Sequence, residues 1–487
     1  MFEDQGFLVT IGLEVHCELL TATKLFCGCA NLFGQSPNTS ICPVCLGLPG
    51  SLPVINAQAV NYAIRIGLAL NCAIRPSIFH RKNYFYPDIP KDYQVSQYDE
   101  PICVNGLVEL PTYGKTVNVI RAHMEEDTGK STHIGESGRI HGALRSLVDY
   151  NRAGVPLVEI VSAPDMSSAD EAREYVSELR AILIASGATD GKMEEGSLRV
   201  DANVSVRRDP SDPLGTRCEI KNLNSLKSLG RAITFEAKRQ SELISQGQTI
   251  KQETRHWNED QGSTSSLRSK EEANDYRYFP EPDLMPLVPS SAMVDSIRSS
   301  LSMLPPERRS RLRNLADTDT FTKSELEQIQ TCVNVSLDEM VISAVDAGVP
   351  FKLALARASN EVTSLFQEAN MLLDKDKFVY LVQLEANGKL SATQTKAILS
   401  KLVIDSSRDV NEIIAELGFV GLSDDETRVV LEKIILENPN EWTRFTEGEN
   451  QLGGFFVGKA MKASKGKING REVMSLMEQL RNSTVGL

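Results

Sequence analysis

From Phe7 to Leu19 apolar and polar residues alternate. Phe7, Val9, Ile11, Leu13, Val15, Cys17 and Leu19 take the odd positions, and Thr10, Glu14, His16 and Glu18 fall among the even ones. Successive side chains of a strand point to opposite faces, so this segment predicts a half-buried strand whose open face carries carboxylates and an imidazole. The alternation returns from Leu198 to Arg207, with Leu198, Val200, Ala202, Val204 and Val206 on one side and Arg199, Asp201, Asn203, Ser205 and Arg207 on the other. Sheets buried on both faces read as continuous apolar runs, so these strands predict a largely antiparallel sheet with one polar face.

Helices interrupt the strands. Ser168 and Glu171 have capping-box spacing, and Ala172, Tyr175, Val176, Leu179, Ile182 and Leu183 form one apolar stripe that should end near Gly187. A weaker helical pattern runs from Leu226 to Gly247. Pro280, Pro282, Pro286 and Pro289 then break any regular element and mark a boundary. Beyond it, Ser324 to Asn334 and Asn360 to Leu373 carry helix formers with few strand signals. A chain of 487 residues accommodates several domains of this kind.

With 65 acidic and 52 basic residues the net charge is −13, which argues against nucleic-acid binding through the whole surface, because phosphates are held by clustered Lys and Arg. The tail holds a local exception. Asn411 to Asn450 has ten acids and three bases, whereas Phe456 to Val473 has five bases and one acid. Lys459, Lys462, Lys465, Lys467 and Arg471 follow a Gly453-Gly454 turn, and Gly466 is placed to end one helix so that another begins near Asn469. Bases around such a helix–turn–helix contact phosphates without reading sequence; a merely solvated basic surface is the alternative.

The N-terminal stretch has no basic region followed by an unbroken apolar run, and no apolar run reaches ~18 residues, so neither a secretory signal nor a membrane span is expected. Nine cysteines, an odd number, suit a reducing compartment, which suggests a cytoplasmic protein. Four of them are packed as Cys27-Gly28-Cys29 and, twelve residues on, Cys42-Pro43-Val44-Cys45. Two close thiol pairs across a short loop suit a closed, structural Cys₄ zinc site; a redox dithiol or unrelated thiols are the alternatives.

Carboxylates gather on the strands. Glu14 and His16 share a face, Asp201 lies on the second polar face, and Glu219 opens Glu219-Ile220-Lys221-Asn222. His123-Met124-Glu125-Glu126-Asp127 adds three adjacent acids. Oxygen ligands with one imidazole describe a Mg²⁺ site serving ATP, although for any single one of these acids solvation or an Arg partner is the better explanation. Glu159 resists that explanation, since Val155-Pro156-Leu157-Val158 and Ile160-Val161 surround it with apolar residues. His80-Arg81-Lys82-Asn83-Tyr84-Phe85-Tyr86-Pro87-Asp88, with Lys91, Tyr93 and Tyr98, offers aromatics to stack on a base and cations to hold phosphate, or else an ordinary Tyr-rich loop. Neither a P-loop nor a G-x-G-x-x-G sequence occurs, and no persuasive Cys–His nucleophile pair is present, so ammonia for any nitrogen transfer must come from elsewhere.

Six stretches together resemble the B-subunit family of aspartyl/glutamyl-tRNA amidotransferases: IGLEVHCE (Ile11 to Glu18), RKNYFYPD (Arg81 to Asp88), HMEEDTGKST (His123 to Thr132), KMEEGSLRVDAN (Lys192 to Asn203), EIKNLNS (Glu219 to Ser225) and DYRYFPEPD (Asp275 to Asp283). Gly453 to Gly470 looks like that family's tail. The resemblance implies a cytoplasmic heterotrimer in which an amidase (glutaminase) partner, the A chain, releases ammonia and a small C chain tethers the assembly. The present chain would bind misacylated Glu-tRNA(Gln) or Asp-tRNA(Asn), phosphorylate the side-chain carboxylate with ATP, and let ammonia displace the phosphate. It also implies Mg²⁺ ligands and catalytic groups at Glu14, His16, Glu126 and Glu159, with Asp201 and Glu219 serving a second metal. Arg81, Lys82, Tyr84 and Tyr86 would bind ATP or substrate, Cys27, Cys29, Cys42 and Cys45 structural Zn²⁺, and the five tail bases tRNA. Strict alternation through Ile120, Ala122 and Met124 instead puts His123 and Glu125 on the polar side, so Glu126 requires a bulge or strand end.

The implied fold is α+β. An antiparallel-sheet cradle similar to glutamine synthetase spans residues 1–292, an all-α domain 293–408 and a small helical tail 409–487. A zinc-stabilised, non-catalytic tRNA-binding scaffold and an ATP-dependent ligase acting on a free amino acid are the competing functions. Acids on polar strand faces favour catalysis over the first, and the basic tail favours a tRNA-linked substrate over the second.

Overall fold

The computed structural model describes residues 6–135, 143–269, 276–363, 373–419, 424–464 and 470–484. Two compact units, Met1–Glu307 and Arg308–Leu487, divide the chain.

Fourteen strands are described in the first unit: β1 (Leu8–Glu18), β2 (Ala73–Ile74), β3 (His80–Asn83), β4 (Tyr93–Ser96), β5 (Cys103–Leu110), β6 (Lys115–Glu126), β7 (Lys130–Ile134), β8 (Arg145–Asp149), β9 (Pro156–Ser162), β10 (Leu198–Arg207), β11 (Cys218–Leu223), β12 (Glu253–Asn258), β13 (Ser263–Ser269) and β14 (Phe279–Pro280). Twelve form one sheet, ordered β13-β12-β11-β10-β1-β9-β6-β4-β3-β14 with β2 and β5 joined beside β6; β7 and β8 pair separately. All its pairings are antiparallel except β11 with β12, as the alternating patterns predict. In β1 the apolar residues Ile11, Leu13, Val15 and Cys17 are fully or almost fully buried.

That apolar face is covered by α1 (Ala57–Ala69), α2 (Ala169–Ala185) and α3 (Leu226–Ser245). Ser168 caps α2 by accepting from the Glu171 backbone N–H, and the six residues of its predicted stripe are all buried. The Glu171 carboxylate does not close the capping box; it bonds Ser167 and Lys115 instead. Covering one face leaves the other free, so polar side chains along the middle strands line an open cleft.

The first unit extends beyond the proline-marked boundary expected after residue 292. Helix α4 (Ser291–Ser299) packs on α1, placing Ile297 in the same core, and Arg65 of α1 donates to the Ser300 hydroxyl at 2.7 Å. Among the described residues the second unit holds two cores. One gathers Leu312 through Ile413, so Val410 and Ile413 carry it past the boundary expected at 408; the other gathers Leu431 through Met477. The helix expected from Ser324 runs Lys323–Asn334 behind a complete Thr322/Glu325 capping box. Most of the helix expected over Asn360 to Leu373 lies outside the described residues.

Candidate active site

The register of the antiparallel pairs aligns the polar residues into rows. His16 on β1 stands opposite Glu159 on β9, which stands opposite His123 on β6; Glu14 stands opposite Asp201 on β10. Neighbouring strands lie ~4.8 Å apart, so side chains in one row reach each other. His16 Nδ1 is 3.2 Å from Glu125 Oε1, and His123 Nε2 is 3.5 Å from Glu159 Oε2. One ligand atom from each of His16, Glu125 and Glu159 lies within 4.8 Å of the others, a geometry able to hold a metal ion. These residues line a cavity of about 570 Å³ with Glu14, Asp201, Glu219, Lys82 and Lys221.

Charge dominates this cleft. Burial raises the Glu14 carboxyl above its usual range, and the charges of Glu159 and Glu219 add to it. Burial would lower the His16 imidazole, but the Glu125 hydrogen bond and the charges of Glu159, Glu125 and Asp201 outweigh it and lift it to about 9. Glu125, although buried, is held at about 2 chiefly by its bond to His16. These carboxylates thus favour the protonated imidazole, whose charge adds to those of Lys82 and Lys221 in the same cleft. A divalent cation answers the same field, and a carboxylate–imidazole set with room for water suits Mg²⁺.

Glu126 does not join this cluster. It stands one residue on from Glu125 in an unbroken strand end, so its side chain passes to the opposite face, where it pairs with Lys91 and accepts from the Val95 backbone N–H at 2.9 Å. The one irregularity of this strand pair lies earlier, between Val119 and Arg121, so nothing between Arg121 and Glu126 turns the carboxylate back toward His16 and Glu159. Arg81 is displaced for the same reason. It faces away from its neighbour Lys82, binds both oxygens of Glu281 at 2.7 and 2.8 Å and lies 4.3 Å over the Tyr93 ring. Arg81 and Glu126 line a second cavity of about 260 Å³. Lys82 and Tyr84 do line the main cleft, whereas Tyr86 packs edge-on against Tyr84 outside the cavity lining.

The pair expected to hold a second metal is bridged by a side chain. The Lys221 ammonium lies 2.5 Å from Asp201 Oδ2 and 3.0 Å from Glu219 Oε1, and Thr254 donates to the other Glu219 oxygen. Its pKa is raised because those two carboxylates outweigh its burial. The ammonium therefore offsets one of the two negative charges at Asp201 and Glu219 and occupies the space between them, which a second cation would have to take from it. Sequence reasoning passed over Lys221, although it sits two residues after Glu219 and so on the same face. It also passed over Asn203 as a site residue, whose amide donates to Glu14 at 3.0 Å, and over Arg199, which pairs with Asp127 at 2.8 Å.

Cys27, Cys29, Cys42 and Cys45 converge, with one sulfur from each within 4.8 Å of the rest. Sulfurs around a tetrahedral zinc with ~2.3 Å bonds stand about 3.8 Å apart, and Cys42 and Cys45 are at 3.9 Å. Cys45 falls to about 5, first through its hydrogen bond with Cys27, while burial pushes Cys29 up to about 11. Buried Lys24 ties the loop down, donating to Ser40 O at 2.8 Å and Tyr150 O at 3.2 Å. The arrangement is compatible with a structural zinc.

In the tail, Gly453–Ala463 is helical and so is Gly470–Thr484. Gly453 and Gly454 are therefore not a turn but the start of the first helix, where a Cβ on Gly453 would press on Met474 at 2.8 Å. The helix ends at Ala463 rather than at Gly466. Lys459 and Lys462 are exposed on it, and Lys459 donates to Asn438 Oδ1 at 2.6 Å. Lys465 and Lys467 lie outside the described residues, as does the Arg471 side chain. No helix among the described residues is long and apolar enough to cross a membrane.

Residues 9–295 match the GatB/GatE catalytic domain family and residues 339–480 the GatB domain family. The chain is 46% identical over 481 residues to the B subunit of the aspartyl/glutamyl-tRNA(Asn/Gln) amidotransferase from Frankia casuarinae, covering 96% of this chain and 94% of that one. Proteins of the same name from Anaeromyxobacter sp. (strain K) and Thermoanaerobacter sp. (strain X514) are each 45% identical. They cover 97% and 94% of this chain and 98% and 96% of their own.

Proposed function

Because the chain belongs to the family of aspartyl/glutamyl-tRNA(Asn/Gln) amidotransferase B subunits, we propose that its cleft activates the side-chain carboxylate of a misacylated tRNA for amidation. The substrates would be Glu-tRNA(Gln), Asp-tRNA(Asn) or both, with ammonia supplied by the amidase partner and a small third chain completing the heterotrimer. A carboxylate oxygen attacks the γ-phosphorus of ATP and ADP leaves. Ammonia then attacks the acyl carbon, its proton is lost, and inorganic phosphate departs to leave the amide. The first step is needed because a carboxylate expels no good leaving group, whereas an acyl phosphate does.

The observation that carries this reading is the convergence of His16, Glu125 and Glu159 on one cleft that also presents Lys82 and Lys221. Those three residues would hold Mg²⁺, which when bound neutralises charge on the transferring phosphoryl group. Lys82 stays protonated because the tyrosines and carboxylates around it outweigh its burial, so it can meet phosphate oxygens as a point charge. Lys221 offsets part of the Asp201 and Glu219 charge that would repel an incoming polyanion. Glu14 is oriented by Asn203 at the edge of the same group.

The test is to reconstitute the complex and supply each misacylated tRNA with ATP and ammonium, following the aminoacyl product. Glu159→Gln removes one charge and nearly preserves shape; it should abolish ATP-dependent amidation while the fold persists. Full activity of that variant would transfer the chemistry to a partner and leave this chain a scaffold.

A further inference from the structure

One guanidinium in the cleft has no counter-ion. Of the cations that line the cavity, Lys221 is committed to Asp201 and Glu219, Arg199 to Asp127 at 2.8 Å, and His16 to Glu125. Lys82, seated 5.7 and 5.0 Å from the Tyr84 and Tyr276 rings, is taken up by phosphate in the proposed reaction. Arg121 lines the same cavity and makes no ion pair or hydrogen bond among the described residues.

A break in its strand puts it there. In β6 the buried apolar residues are Val117 and Val119 before position 120 but Ala122 and Met124 after it, so the core-facing positions change from odd to even. The register with β9 shifts between Val119 and Arg121, which leaves exposed Ile120 and half-buried Arg121 both off the core side. Unbroken alternation from Val119 would have driven Arg121 into the apolar core. Bulges beside active sites re-aim side chains in this way. The Arg121 Nε is enclosed by protein, so the terminal amino groups are the part open to the cavity. Two residues further along β6 stands His123, opposite Glu159, so Arg121 is about 7 Å of strand from the row that carries the carboxylate–imidazole cluster.

The charge around it narrows the ligand. Glu14, Glu125, Glu159, Asp201 and Glu219 line this cavity, and an anion that enters beside them is repelled unless an uncommitted cation meets it. A guanidinium offers paired N–H donors that match the two oxygens of a carboxylate. In an aminoacyl-tRNA the α-carboxyl is esterified, so glutamate or aspartate keeps a single carboxylate, that of its side chain. We propose that Arg121 binds this side-chain carboxylate, orients it for phosphorylation and distinguishes the substrate from the amide product. The inference rests on the amidotransferase reading. Amidation replaces a charged oxygen acceptor with an NH₂ donor, which cannot accept from the guanidinium, so the same contact that holds the substrate lets the product go.

The reconstituted complex is titrated, with Mg²⁺ and without ATP, with tRNA(Gln) carrying glutamate or glutamine through a stable 3′-amide. The two ligands differ only in carboxylate against carboxamide; aspartate and asparagine on tRNA(Asn) form the matching pair. The ratio of Kd for the amide to Kd for the acid should fall about 10- to 100-fold in Arg121→Met, the loss of charged hydrogen bonds. Arg121→Lys, which keeps the charge but not the fork, should recover part of the ratio. A merely structural role would weaken both ligands alike, so an unchanged ratio in Arg121→Met overturns the assignment. ATP affinity should stay within a few-fold in both variants; a fall in ATP affinity with the ratio unchanged would give Arg121 to the phosphates and overturn it equally. Wild-type activity with ATP and ammonium separates the two levels. A complex that amidates neither misacylated tRNA ends the amidotransferase reading, whereas wild-type amidation with an unchanged ratio in the variant removes only the role of Arg121.

Discussion

His16 Nδ1 on β1 lies 3.2 Å from Glu125 Oε1 on β6, although β9 runs between their strands. The contact spans β9 because Leu157 and Glu159 stand two apart on that strand, and the pair closes over the gap between them. On the proposed function, a bound Mg²⁺ would replace the proton that Glu125, Glu159 and Asp201 favour on this imidazole.

That trade separates the two adjacent glutamates. Glu125→Gln should abolish Mn²⁺ binding in the cleft and ammonium-dependent amidation together. Glu126→Gln, whose side chain is on the other face with Lys91, should keep Mn²⁺ affinity within a few-fold. Electron paramagnetic resonance titration of each variant reads the difference directly. Loss of Mn²⁺ binding in Glu126→Gln alone would put the ligand back where the family pattern placed it.

Lys221 should limit the nucleotide-free cleft to one divalent cation. In Lys221→Met the Asp201 and Glu219 carboxylates, left facing each other without the ammonium, should gain a second, weaker Mn²⁺ site. Metal stoichiometry by equilibrium dialysis would rise from one to two. Two cations bound per wild-type chain without nucleotide would show that the lysine yields its place.

The Cys₄ cluster should hold one zinc per chain by elemental analysis, lost in the Cys42→Ser, Cys45→Ser double variant. Because zinc binding is coupled to folding of the loop, the melting temperature should fall as well. Amidation per folded molecule should survive, since no position at the metal is left open for water. Metal-free protein purified without chelator under reducing conditions would refute the assignment.

Strand periodicity carried much of this architecture into view. Leu8–Glu18 and Leu198–Arg207 were legible because a one-residue slip would bury Glu14, His16 and Asp201, so their register is overdetermined. The same rule places Glu125 in the cleft and Glu126 out of it. What stayed hidden was long-range pairing. Nothing local tells that Arg81 answers Glu281, that Lys221 fills the space between Asp201 and Glu219, or that Gln97 spends only its oxygen on Met124. Each depends on which strands become neighbours. Gly453-Gly454 misled for a related reason: both open a helix rather than a turn, and Gly453 serves the close approach of Met474.

Glu18 gives the fold a pH dependence. Burial, with the Asp127 charge adding to it, lifts its carboxyl from 4.5 to about 7. The native state therefore binds this proton more tightly than the unfolded chain does. The stability so gained is complete below 4.5 and is lost as pH rises through 7. Glu18→Gln should flatten that part of the profile and be the more stable form at pH ~8, by on the order of 1 to 2 kcal/mol after screening by water. Thermal melts across the range would show the two curves diverging as pH rises; parallel curves would mean the carboxyl ionises freely.

The tail offers two exposed lysines with different duties. Lys459 donates to Asn438 at 2.6 Å and lies 4.7 Å from the Phe455 ring, so its ammonium is partly committed within the tail. Lys462, one turn further along the same helix, has no such partner among the described residues. If this helix grips tRNA through phosphates, Lys462→Glu should weaken binding uniformly across tRNA sequences and reduce the salt slope by ~0.7 to 0.9, one contact's worth. Lys459→Ala should instead lower tail stability together with affinity, since Asn438 loses its partner. Removing residues 450–487 should raise the KM for aminoacyl-tRNA and flatten the slope by up to ~4 if all five bases engage, with cleft metal binding intact. Filter binding over a salt series distinguishes these outcomes, and an affinity and slope unchanged by the truncation would reduce the basic island to a solubilising surface.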